Sequence, residues 1–157
     1  MMKRGVLAIL LLLSLLHADK IHVNKDDRCL IRQVMVSQYP QWVAKVVTIQ
    51  NKSVYLSSPK SMFEYIFAAS HWPELGALTI NDMKSIEVTD FKTGEAIDAK
   101  TAYYVYGSNI TSPGGDDLVP FANKADAEAF MKRHNGKRVL RFSKISIALI
   151  NLINGRI

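Results

Sequence analysis

Two helix-start signals govern how this chain folds, because each follows a pair of short strand-like runs and precedes another. Ser58 offers a hydroxyl that can accept an orphan backbone N–H, and Pro59 is already set for a first helical turn. Asn123 offers the same kind of cap ahead of Lys124. Before the first signal, Val43–Ile49 and Ser53–Leu56 read as a hairpin closed by Gln50, Asn51 and Lys52. After it, Met62, Phe63, Ile66 and Phe67 recur at helical spacing until His71-Trp72-Pro73, and a loop leads to an alternating strand, Ile86–Asp90. The second signal is framed in the same way. Thr101–Tyr106 predicts a strand, Gly107–Asp117 a loop carrying Ser-Pro-Gly-Gly, and Leu118–Phe121 a short strand whose Pro120 favours an edge. A helix from Lys124 to His134, stopped by Asn135-Gly136, is followed by a strand at Arg138–Phe142.

Both halves therefore read strand, strand, helix, strand. One such unit leaves a sheet face bare, and two packed together cover each other. The expected class is α+β, two packed β-β-α-β units over residues 29–91 and 92–145, an internal structural repeat. The tail, 146–157, is apolar at helical spacing and is expected to dock on the body or to form part of a partner surface.

The chain opens Met1-Met2-Lys3-Arg4, then runs uncharged and apolar from Gly5 to Leu16, with Ala18 ahead of Asp19. A basic start, a short apolar run and a small residue at the cut are the parts of a secretory signal, and the run is short for a permanent span of about 20 residues. The expected arrangement is a signal at 1–18, retained as an anchor if uncleaved, and a flexible polar leader at 19–28. Lipid attachment requires a cysteine directly after the apolar run, whereas Cys29 follows Asp26-Asp27-Arg28. Without Lys3 and Arg4 the balance is 18 basic to 14 acidic residues. That mild excess, in an exported chain, gives no reason to expect nucleic acid as a partner.

A single cysteine excludes an internal disulfide, so stability must come from the core. No Gly-x-Ser-x-Gly, His-Glu-x-x-His, phosphate-cradling glycine loop or Cys-x-x-Cys is present, and the expectation is a protein that is not an enzyme. The acids Glu64, Glu74, Glu87, Asp90, Glu95 and Asp98 are scattered and read as solvated surface. What remains are soft and borderline ligands: Cys29, Met35, Met62, Met83 and Met131, with His22, His71 and His134. Thiolate and thioether suit Cu(I). Met62 and Met131 also suit core gaps, and His134 also suits a helix end. Cys29 stands out, because a lone thiol in an oxidising compartment has to be buried, paired between chains or bound to something.

Several stretches resemble the NosL family of nitrous oxide reductase accessory proteins: Val88–Ser108, Leu118–Phe130, Gly136–Phe142, Tyr39-Pro40-Gln41-Trp42 and Lys60–Tyr65. The resemblance implies an exported, copper-binding protein, here periplasmic, that works with nitrous oxide reductase maturation proteins and binds or delivers Cu(I). It also implies two β-β-α-β units. Many members carry Cys-Pro-x-Cys-Gly-Met where this chain reads Cys29-Leu30-Ile31-Arg32-Gln33-Val34-Met35, and Gly-Pro-Met-Gly where it reads Ser112-Pro113-Gly114-Gly115. Arg32 cannot ligate a metal. The expected metal ligands are Cys29, Met35 and Met62. The other expectation is an interaction module that keeps the fold without the metal, and peripheral membrane association through the signal or the apolar tail is expected with either.

Overall fold

The computed structural model describes residues 19–156; the signal expected at 1–18 lies outside the described residues. Two antiparallel sheets make up an α+β fold. The first contains β1 (Ala44–Thr48), β2 (Ser53–Leu56), β3 (Met83–Thr89) and β4 (Ala96–Asp98) in the order β2-β1-β3-β4. The hairpin closes where the sequence places it: Asn51 takes a left-handed φ of 60°, and the Thr48 N–H donates to Lys52 O at 3.0 Å. Ala44 pairs with Leu56 on one side and Val88 on the other.

The second sheet holds β5 (Tyr103–Ser112), β6 (Gly115–Phe121) and β7 (Arg138–Arg141) in the order β6-β5-β7. Here the structure corrects the loop expected at 107–117. Thr111 pairs with Asp116 and Ser112 with Gly115, so only Pro113-Gly114 turns and the strands extend nearly to the tip. A register shift between Tyr106 and Thr111, with Gly107 at φ 75°, absorbs the irregularity that a sequence reading takes for a loop. Pro120 lies on β6, an edge strand, where its missing N–H removes no ladder bond. The strand β4, absent from the sequence reading, carries the first sheet past the expected boundary between residues 91 and 92.

The helices start at their signals. Ser58 accepts from Ser61 N–H at the head of α1 (Pro59–Phe67), and Asn123 from Asp126 N–H ahead of α2 (Lys124–Arg133). Ser146 accepts from Leu149 N–H to start α3 (Ile147–Ile153), which gives the apolar tail its helix and packs it beside α1. No helix among the described residues is long and apolar enough to cross a membrane.

Strand alternation divides the second sheet between two cores. Tyr104, Leu118 and Leu140 face the larger core with Phe63 of α1, whose ring lies 5.6 Å from that of Tyr104. Val105, Val119 and Val139 face a smaller core with Ala127 and Phe130 of α2. The leader expected to be flexible lies against this body: Ile21 and Val23 pack on the larger core and Ala96 N–H donates to Asp19 O at 2.8 Å.

Candidate functional site

A tight turn fixes Cys29. Its N–H donates to Val34 O at 2.8 Å, its carbonyl accepts from Gln33 N–H at 2.9 Å, and Gln33 takes a left-handed φ of 61° to close the loop. The Sγ accepts the Arg32 N–H at 3.3 Å and is fully buried. Met62, from α1, is fully buried in the same core as Cys29. Met35 is placed differently. It pairs with Arg28 in a β-bridge, and alternation turns the two side chains to the face opposite Cys29. The sequence-predicted set thus separates into Cys29 and Met62 in one core, and Met35 half-buried beyond the bridge.

Positions 32 and 114, far apart in sequence, meet. A Cβ on Gly114 would lie 3.1 Å from Arg32 Nε and 3.6 Å from Lys60 Cε. The place where the resemblance puts a second cysteine and a methionine is therefore occupied by two cationic side chains. Arg32 donates to Glu64 Oε1 at 2.8 Å and to Asn154 Oδ1 at 3.2 Å, and Asn154 Nδ2 donates to the same Glu64 oxygen. Lys60 Nζ donates to Gly114 O at 2.7 Å. This cluster joins the Cys29 turn, α1, the β5–β6 tip and the tail. Arg32 Nε is buried and has no hydrogen-bond partner among the described residues.

Glu64 corrects the solvated reading given to the scattered acids, since its side chain is only 9% exposed. Asp90 is a second correction: buried, it accepts from Lys92 N–H at 2.8 Å and from Ala122 N–H at 3.1 Å, and so ties the end of β3 to the approach to α2. Nothing local in the sequence marks Lys60 or Asp117 as buried. Lys60 and Glu64 stand four apart on α1, a spacing that ordinarily signals a surface pair; here it turns both inward.

Asp117 is fully buried on β6, accepting from Lys60 N–H at 2.7 Å and Leu118 N–H at 2.8 Å. Burial pushes its carboxyl above the usual range and, in the same pocket, holds the Lys60 ammonium below its own. A raised carboxyl keeps its proton in the folded chain where the unfolded chain, titrating near about 4, has lost it. Its contribution is therefore present at low pH and declines as pH rises from there towards the raised value. Asp117→Asn keeps an oxygen for both N–H groups and is expected to remove that decline, which for one group cannot exceed about 1.4 kcal/mol per pH unit. Thermal melts of both proteins from about pH 4 to 8 check this, and parallel curves would contradict it.

Among the described residues no group of three or more His, Cys, Asp or Glu is placed to hold a metal ion. His71 is exposed, while His134 caps α2, its ring 4.3 Å from that of Phe130. The sequence model of the NosL family matches residues 20–150.

The chain belongs to the NosL family.

It is 26% identical over 132 residues to the copper-binding lipoprotein NosL of Stutzerimonas stutzeri, an alignment covering 84% of this chain and 68% of that protein. The crystal structure of the copper chaperone NosL from Shewanella denitrificans shares its fold, with a TM-score of 0.70 and 23% identity over 84% of this chain and 98% of that one. The first of these relatives is a copper-binding lipoprotein and the second a copper chaperone.

Proposed function

We propose that this NosL protein is exported to the periplasm and acts as an accessory protein of nitrous oxide reductase maturation, with Cu(I) as cargo handled through Cys29. The family match over residues 20–150 carries this reading. Arg32 and Lys60 fill the region between the Cys29 turn and Gly114, while Cys29 and Met62 are buried in one core, which favours the core side and a thiolate–thioether pair, a donor set suited to Cu(I). Export agrees with the basic start and apolar run ahead of Asp19 and with the lipoprotein nature of the Stutzerimonas relative. The matching strand orders, β2-β1-β3 around α1 and β6-β5-β7 around α2, support reading the fold as two β-β-α-β units.

A specific observation favours a second reading. Arg32 and Asn154 both donate to Glu64 Oε1, so the position expected to carry a second soft ligand is held in a polar network, which suits a module that keeps the NosL fold and its partner surface after losing the cargo. Anaerobic competition for Cu(I) against a chromophoric chelator separates the two. Under the first reading Cys29→Ser weakens competition by at least about tenfold, or about 1.4 kcal/mol. If wild type and Cys29→Ser compete equally poorly, the cargo reading is lost and the module reading stands.

A further inference from the structure

The helix α3 is apolar on nearly every side, with Asn151 the one polar residue among Ile147, Ala148, Leu149, Ile150, Leu152 and Ile153. A helix apolar all round normally sits in a core. Here only Ile150 is fully buried, while Ile147 is 57% and Leu152 45% exposed. Beside it, Ile147 and Phe67, itself 39% exposed, line a groove of about 320 Å³ between α1 and α3. Exposed cations flank this surface. After Glu128 the chain carries seven Lys or Arg residues and no Asp or Glu. Two of them, Lys144 and Arg156, flank α3 and are exposed, and Arg156 lines the groove. Glu64, also in the groove, is neutralised by Arg32, and His71 adds no negative charge.

We infer that α3 and its flanking cations form a docking surface for an anionic phospholipid bilayer. Exposed aliphatic residues between cations are the parts of an interfacial anchor: the apolar side chains enter the headgroup boundary and the cations meet lipid phosphates. A second copy of this chain is the poorer occupant, since it would set Lys144 and Arg156 against their own kind.

Vesicle co-sedimentation tests this with the chain from Asp19 to Ile157, which comprises the whole described body. Phosphatidylglycerol-containing vesicles are expected to bind it and pure phosphatidylcholine vesicles to leave it in solution, with binding lost as salt rises. Ile147→Ser/Leu152→Ser, both at exposed positions, and separately Lys144→Ala/Arg156→Ala, should each lower partitioning at least about tenfold with an unchanged melting temperature. Equal binding to neutral vesicles, or variants that bind like wild type, would overturn the inference. So would a concentration-dependent dimer broken by Ile147→Ser, which assigns the surface to a second copy, or binding to polyglutamate as tight as to vesicles, which assigns it to an acidic protein.

Discussion

Arg32→Cys combined with Gly114→Met is expected to raise Cu(I) affinity by at least about 100-fold over the wild-type chain. The two positions touch, with Arg32 Nε 3.1 Å from where the new Cβ would stand, and the Arg32 N–H already meets Cys29 Sγ at 3.3 Å. A thiolate and a thioether would therefore arrive beside the existing thiol, and one fixed positive charge would leave. The magnitude is a lower bound, because partners that only orient a ligand are already worth about 10–100-fold in metal affinity. Gly114 has an ordinary backbone conformation, so the new side chain meets no φ penalty once the guanidinium is gone. Lys60 still points its ammonium at Gly114 O, and adding Lys60→Met should raise affinity further. Anaerobic chelator competition reads the effect. A double variant that binds no better than wild type would show that positions 32 and 114 do not complete a site with Cys29.

Arg32→Met alone is expected to destabilise the fold by roughly 2–3 kcal/mol. Removing one partner of a fully buried pair costs about 3–5 kcal/mol because the other charge is left without compensation. Arg32 is 24% exposed and Glu64 9%, so solvent relieves part of that penalty. Asn154 would remain as a donor to Glu64 but carries no charge. Glu64→Gln added to Arg32→Met removes the stranded carboxylate and should recover most of the loss. Urea unfolding of the wild type, both single variants and the double variant gives the cycle. A double variant as unstable as the sum of the singles would show that the pair contributes nothing as a pair.

Helix starts and hairpin turns were legible because their causes are local. The cap at Ser58, the proline at 59, the cap at Asn123 and the turn at Asn51 each act within four residues. The 103–121 hairpin was less so: Ser-Pro-Gly-Gly looks like a loop, and only pairing of Thr111 with Asp116 reveals that two residues suffice to turn it. The site was legible as a pair of departures, at Arg32 and Gly114, but not as one place. Their contact depends on the β5–β6 tip reaching the Cys29 turn, and the burial of Lys60 and Glu64 depends on β6 and the tail crossing α1. No feature within a turn of Glu64 distinguishes it from a surface acid.

The alternation along β5 has a mechanical consequence. Tyr104 belongs to one core and the neighbouring Val105 to the other, so a single strand is the shared wall of two rooms. Neither room keeps its contents if that wall comes down. Opening the α2 side strips support from the face on which Phe63 rests, and the reverse holds as well. The described body is therefore expected to melt as one cooperative unit rather than sheet by sheet.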